Sequence, residues 1–159
     1  MRCSSQLIYH YTNLIKIFVL YFFQAQSLDV VAFSAHLSSD TTFSNGATIQ
    51  FPNQASNFGG HYDTSTSRFL CPVHGVYLFT STIYTDADKG SEAFIAQNGN
   101  LVAAMIADQE DNDQNSNVVI LECNEGDIIE VLCKRGDGCQ LWGVTRSNTF
   151  SGVLVSLIM

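Results

Sequence analysis

Apolar and polar residues alternate along most of the chain, and a period of two residues is typical of β-strands with one buried face. In the segment VVAFSAHL (30–37), every second residue from Val31 to Leu37 is apolar. The residues from Tyr77 to Ile83 share one face in the same way. No segment keeps an apolar period of about 3.6 over a dozen residues, so the pattern predicts strands and no long helix.

Two short turns separate the predicted strands. Asn98-Gly99 lies between two apolar runs and predicts a hairpin, because both residues tolerate a positive φ. Glu125-Gly126 lies between two later runs and predicts a second hairpin. The segment 149–155 carries apolar residues on both faces, which predicts a strand buried in the centre of a sheet. Short strands with closely spaced turns favour an all-β sandwich or jelly roll.

The N-terminal segment differs from the rest and is typical of a secretory signal. Positive charges at Arg2 and Lys16 precede an unbroken apolar run, Ile17–Phe23, and small residues follow at the positions that signal peptidase inspects. The run is well short of the roughly 20 residues that a membrane-spanning helix needs. The sequence therefore predicts a signal peptide over 1–27, a globular domain over 28–159, secretion to the extracellular space and no membrane span.

The charge balance is acidic, with 15 Asp and Glu against 7 Lys and Arg. All the acidic residues follow the predicted signal, whereas two of the basic ones lie within it. Nucleic-acid binding needs a basic surface, so nucleic acid is excluded as a partner. The acidic surplus is compatible with cation binding or with solubility alone.

Several short motifs occur in an order that resembles the globular domain of the complement C1q family. The most recognisable is FLCPVHGVYLF (69–79), which follows the pattern F-x-C-P-x-x-G-x-Y-x-F. VAFSAHL (31–37), IQFPNQASNFGGHYD (49–63), EGD (125–127) and TFSGVLV (149–155) match other landmarks, and together they cover essentially all of residues 30–159. The core landmarks, expected to be buried, are Phe33, Tyr62, Tyr77, Phe79, Gly126, Asp127, Phe150 and Gly152.

This resemblance implies a ten-stranded jelly-roll sandwich, similar to tumour necrosis factor, that assembles as a homotrimer. It implies binding without catalysis and no required cofactor. The expected function is that of a lectin-like pattern-recognition molecule of innate immunity, with microbial or glycan surfaces as ligands. A secreted signalling, adhesion or extracellular structural protein is the alternative. The chain has no collagen-like Gly-X-Y run, and in this it is most similar to stalkless invertebrate members.

The residues themselves also argue against an enzyme. After the predicted signal the histidines are His36, His61 and His74, and none lies in a recognisable nucleophile motif. Nor do the cysteines and histidines cluster at zinc-ligand spacing. Trp142 could stack on a sugar ring, but its position at the start of a late strand favours packing.

One acidic loop is a candidate calcium site. DQEDND (108–113) places the carboxylates of Asp108, Glu110, Asp111 and Asp113 close together in sequence. Hard oxygen ligands at that density suit calcium. The resemblance adds weight, since several family trimers bind calcium near the apex. Calcium is therefore a possible ligand, and a solvated acidic loop is the simpler explanation.

The segment CKRGDGC (133–139) places Arg135-Gly136-Asp137 between two cysteines. If the flanking strands form a hairpin, Cys133 and Cys139 face each other at disulfide distance. The tripeptide is a possible integrin ligand, although glycine and aspartate are also ordinary turn residues. The other cysteines of the domain, Cys71 and Cys123, are then free or paired with each other.

Overall fold

The structure is a computed structural model that describes residues 15–16, 30–85, 90–108, 112–143 and 146–158. The predicted signal peptide lies outside the described residues, apart from Ile15 and Lys16. Among the described residues no helix is long and apolar enough to cross a membrane. The part of the chain that the structure describes forms twelve strands: β1 (Ala32–His36), β2 (Thr41–Phe43), β3 (Asn53–Phe58), β4 (Tyr62–Asp63), β5 (Arg68–Leu70), β6 (Gly75–Thr85), β7 (Ser91–Gln97), β8 (Asn100–Ala107), β9 (Asp113–Cys123), β10 (Ile128–Cys133), β11 (Cys139–Leu141) and β12 (Thr149–Leu157).

Ten of these strands form two antiparallel five-stranded sheets. The first sheet has the order β3-β1-β12-β6-β9, and the second has the order β4-β5-β10-β7-β8. The remaining strands, β2 and β11, pair with each other as a separate two-stranded sheet. The prediction of an all-β, ten-stranded jelly-roll sandwich is therefore confirmed.

The core lies between the two sheets and is rich in aromatic rings. The ring of Phe33 stacks on Tyr62 at 4.5 Å and on Phe69 at 5.0 Å, and it meets the edge of Phe150 at 4.9 Å. Burial raises the pKa of Tyr62 to about 12, so its hydroxyl stays protonated and donates to the Phe51 carbonyl at 3.0 Å. The aromatic core landmarks are all buried: Phe33, Tyr62, Tyr77, Phe79 and Phe150. Gly152 is buried as well, but the prediction of a core position is wrong for Gly126, which is exposed in a turn, and for Asp127, which is only half-buried.

The two predicted turns behave differently. Asn98 and Gly99 both have positive φ and join β7 to β8 as a hairpin, as predicted. The prediction of a hairpin at Glu125-Gly126 is wrong, because β9 pairs with β6 whereas β10 pairs with β5 and β7. This turn leads the chain from one sheet to the other. Local sequence could not separate the two cases, since each has apolar runs around a glycine turn.

Strand β12 occupies the centre of the first sheet, between β1 and β6, as its composition predicted. Only one of its faces is buried, however. Phe150 points into the core, whereas Val153, Val155 and Leu157 are exposed. The second apolar face of this strand is therefore available for contact with another molecule.

Candidate functional site

An apolar row crosses the outer face of the first sheet from one edge to the other. Backbone pairing places Phe58 beside Ala32, Ala32 beside Val153, Val153 beside Leu78 and Leu78 beside Ile120. These five residues, here called the apolar row, include some of the most exposed apolar side chains of the domain. Phe58 is 56% exposed and Ile120 is 65% exposed.

The apolar row continues toward the end of the sheet that carries both chain ends of the domain. A groove of about 210 Å³ lies there, between the first residues of the domain and the last residues of β12. It is lined by Val30, Val31, Val153, Leu154, Val155, Ser156 and Leu157. A shallower depression of about 260 Å³ lies on the row itself, between Ala32, Leu78 and Val153. Monomeric proteins rarely expose an apolar surface that is continuous over so many strands.

The opposite half of the same face is polar. The next position along each strand on this face belongs to Ser56, Ser34, Ser151 and Thr80, with Val118 at the edge. The hydroxyl of Ser151 donates to that of Ser34 at 2.9 Å. The face is therefore apolar near the chain ends and rich in hydroxyl groups toward the loops at the other end.

One edge of the second sheet is extended by an irregular segment of the chain. The segment 46–49 lies along the outer edge of β10, where Ile49 donates to the Val131 carbonyl at 2.8 Å. Beside it, the buried carboxylate of Glu130 accepts from Arg68 Nε at 2.9 Å and from the Thr48 hydroxyl at 2.7 Å. These two hydrogen bonds offset the free-energy cost of burying the negative charge of Glu130.

The predicted disulfide is present, but the predicted hairpin around it is wrong. Cys133 and Cys139 are bonded, with their Cα atoms 5.8 Å apart. β10 and β11 do not pair with each other, because Gly46 and Ala47 occupy the edge of β10 and exchange hydrogen bonds with Cys133. The bond therefore ties the second sheet to the small β2–β11 sheet.

The Arg135-Gly136-Asp137 tripeptide closes on itself. Arg135 Nε donates to Asp137 Oδ1 at 2.6 Å, and Gly138 N donates to the Arg135 carbonyl at 3.0 Å. Asp137 remains 71% exposed. Any partner that binds the guanidinium and the carboxylate separately would first have to break this ion pair. Integrin binding stays a prediction that this geometry does not favour.

The acidic loop is only partly described. Asp113 uses both carboxylate oxygens on backbone amides, accepting from Asp108 N and from Gln114 N at 2.8 Å each. Glu110 and Asp111 lie outside the described residues. In the part of the chain that the structure describes, no three metal-ligating side chains cluster. A calcium site at these four residues stays a prediction.

Trp142 and His74 have structural partners. The Trp142 ring stacks on Tyr84 with 5.4 Å between ring centroids, and its backbone N donates to the Tyr84 carbonyl. His74 Nε2 lies 2.9 Å from a carboxylate oxygen of Glu122. The packing interpretation of Trp142 agrees with this geometry.

Sequence reasoning missed the outward-facing residues of β9. In SNVVILEC (116–123) four consecutive apolar residues look like a buried strand. The structure buries only one side of it, so Val118 and Ile120 face outward. Knowledge of the pairing between this run and β6 would have identified them. Val119 and Leu121 pair with Phe79 and Tyr77, which point into the core, so the alternate residues Val118 and Ile120 must point outward.

Taken together, these features define a class of protein: a jelly-roll domain with an apolar sheet face suited to assembly. The C1q domain family model matches residues 32–155, and the chain belongs to this family. Members of the family are non-enzymatic ligand-binding proteins that need no cofactor.

Known relatives and structures agree with this assignment. The chain is 34% identical over 129 residues to complement C1q tumor necrosis factor-related protein 3 of Mus musculus and of Homo sapiens, covering 79% of this chain and 51% of each relative. It therefore spans about half the length of these relatives. Its fold is similar to the globular domain of zebrafish complement 1qA (TM-score 0.66, 18% identity, 79% of this chain and 97% of that one). It is also similar to Eiger TNF from S. frugiperda (TM-score 0.64, 14% identity, 82% and 96%).

Proposed function

We propose that this chain is a secreted, non-enzymatic ligand-binding protein that works as a homotrimer assembled through the apolar row. C1q domains assemble into trimers. The observation that carries the proposal is the continuity of the apolar row over all five strands of the first sheet. Removing that surface from water favours association by roughly 25 cal/mol for each Å² buried. A second copy of the same chain presents a matching apolar surface.

The assembly is tested by placing a charge on the apolar row. Ile120→Lys introduces an ammonium group that association would have to bury, so we expect light scattering to give a monomer where the wild type gives a trimer. Ile106→Lys is the matched control, since Ile106 is a 58% exposed isoleucine on β8 of the other sheet. This control should remain trimeric. A monomeric wild type, or a trimeric and folded Ile120→Lys variant, contradicts the proposal.

We further propose that the trimer recognises microbial or glycan surfaces, as a lectin-like pattern-recognition molecule. Three copies of one weak site gain avidity when all can reach the same surface. A glycan array and a bacterial pull-down, each with and without calcium, test this for the wild type and Ile120→Lys. The expected result is saturable binding that weakens by at least about 100-fold in the monomeric variant. Equal binding by monomer and trimer, or none to any glycan or bacterium, argues against recognition of this kind.

A second candidate function is secreted signalling, which the names of the C1q tumor necrosis factor-related relatives favour. In that case the trimer would bind a protein receptor on animal cells. Saturable binding to protease-sensitive sites on such cells, together with a blank glycan array, would support signalling over pattern recognition. Neither role requires a catalytic group.

A further inference from the structure

Cys71 and Cys123 lie together in the core, although they are far apart in sequence. Cys71 follows β5 of the second sheet, and Cys123 is the last residue of β9 in the first sheet. Both side chains are fully buried, and both cysteines are free thiols. Both side chains belong to the same buried core cluster, and a hydrogen bond between the two thiols raises the pKa of Cys71 and lowers the pKa of Cys123.

Backbone contacts hold the two cysteines in this position. Cys71 N donates to the Asp127 carbonyl at 2.9 Å, and Gly126 N donates to the Cys71 carbonyl at 2.8 Å. The turn that follows Cys123 is therefore fixed to the backbone of Cys71 itself. Cys123 is in turn paired with Gly75 of β6. The sulfurs cannot separate unless this corner of the sandwich opens.

We propose that Cys71 and Cys123 form a second, redox-active disulfide between the two sheets, with a low-molecular-weight disulfide such as oxidised glutathione as the oxidant. The proposal needs neither the trimer nor any ligand. Packing of two small apolar side chains is the competing explanation, and it predicts that both thiols persist under oxidising conditions.

The reaction is an ordinary thiol–disulfide exchange in two steps. Cys123 loses its proton, and its thiolate attacks one sulfur of oxidised glutathione; a mixed disulfide forms and one glutathione thiolate leaves. Cys71 then loses its proton and attacks the Cys123 sulfur, releasing the second glutathione. Two electrons pass from the cysteines to glutathione, and the two cysteine protons end on the two glutathione thiols.

The hydrogen bond assigns the order of these steps. Donation from Cys71 lowers the pKa of Cys123, whereas the same bond and burial raise the pKa of Cys71. The thiolate, which is the attacking species, therefore forms more readily on Cys123. The exposed turn residues Asn124, Glu125 and Gly126 lie next to Cys123, so local opening of this turn admits the oxidant.

The new bond would complement the existing one. The turn after Cys123 leads directly into β10, and the known disulfide begins at Cys133, where β10 ends. With both bonds formed, each end of β10 lies beside a covalent link to a neighbouring part of the domain. Both ends of β10 would then be restrained by a covalent link when the domain unfolds.

Peptide mapping of the full chain tests the proposal. The protein is incubated with oxidised glutathione, denatured, alkylated and digested with trypsin. The digestion gives three relevant peptides: 69–89 with Cys71, 90–134 with Cys123 and Cys133, and 136–146 with Cys139. Cys3 lies in a different peptide. The expected product joins all three peptides, whereas reduced Cys71 and Cys123 leave only the last two joined. Further cleavage after Glu125 or Glu130 separates Cys123 from Cys133 and identifies the partner of Cys71.

Thermal unfolding supplies an independent measurement. We expect oxidation to raise the Tm of the wild type by at least about 5 °C, because the loop between the two cysteines is long. Cys123→Ala keeps the Cys133–Cys139 bond and should show no such rise. Alkylation of both Cys71 and Cys123 after prolonged oxidation would overturn the proposal. The proposal would also be overturned if glutathione were found on Cys71 or Cys123 while the peptides that contain them were not joined by a disulfide.

Discussion

At the scale of single residues, Asp127 shows what a landmark position does in this fold. Its carboxylate accepts from Asn98 Nδ2 at 2.8 Å, from Gln97 Nε2 at 2.9 Å and from Asn124 N at 2.8 Å. The carboxylate thus connects the β7–β8 hairpin to the turn between β9 and β10. These hydrogen bonds, led by that from Asn98, lower the pKa of Asp127 below its ordinary value.

Replacement of this carboxylate should destabilise the domain in a pH-dependent way. Asp127→Asn is expected to lower the free energy of unfolding by about 1 kcal/mol at neutral pH, after allowance for solvent screening. Because the pKa is lowered in the folded state, the contribution is present above the unfolded value and disappears as the pH falls through the folded value.

Urea denaturation at neutral pH and again below pH 3.8, the ordinary value for this group, measures the effect. The difference in the free energy of unfolding between the wild type and Asp127→Asn should become smaller at the acidic pH. Glu125→Gln, an exposed position in the same turn, should match the wild type at both pH values. If the difference in the free energy of unfolding is the same at both pH values, the Asp127 charge does not have the stabilising role described here.

Gly152 is a second residue whose identity is set by close contact. A Cβ at this position would lie 2.5 Å from Phe79 Cδ1 and 2.7 Å from Phe33 Cε1, so both rings would have to move. Gly152→Ala should cost about 1–3 kcal/mol, the range found for overpacked cores. Gly136→Ala is the control, since nothing lies within 4 Å of its added Cβ. The urea midpoints of Gly152→Ala and Gly136→Ala are compared. Equal midpoints would contradict the close packing of the two rings against Gly152.

At the scale of elements, strand partners depend on edges as much as on local turns. The Cys133–Cys139 segment has the composition of a hairpin, yet β10 already has β7 and the segment 46–49 as neighbours. β11 therefore pairs with β2. The disulfide spans a boundary between sheets, where no backbone ladder joins the two elements.

Removal of that disulfide has a predictable cost. The double variant Cys133→Ala with Cys139→Ala should lose about 2 kcal/mol of unfolding free energy, as expected for closure of a short loop. Reduction of the wild type should produce a similar loss. Urea denaturation of the oxidised, reduced and double-variant proteins provides the comparison. An unchanged midpoint in the variant would show that the pairing of β2 with β11 already restrains this segment.

At the scale of the whole molecule, the apolar row that crosses the first sheet carries the functional conclusion. The row runs over all five strands of that sheet, and Phe58 and Ile120 are its most exposed members. The second sheet also exposes apolar side chains, among them Leu70 and Ile106, but these form no row shown to cross all its strands. The trimer proposed above would remove the apolar row from solvent.

The sequence by itself determined the class of fold and the aromatic core landmarks. The Cys133–Cys139 bond is present although the hairpin from which it was predicted does not form. Alternation, turn residues and the spacing of short motifs are local properties, and burial of Phe33, Phe79 and Phe150 follows from them directly. Only the tertiary structure decided which strands pair, which face of β9 and β12 stays exposed, and that Cys71 meets Cys123. These outcomes depend on contacts between residues distant in sequence, and a local pattern of apolar residues is the same whichever neighbour covers it.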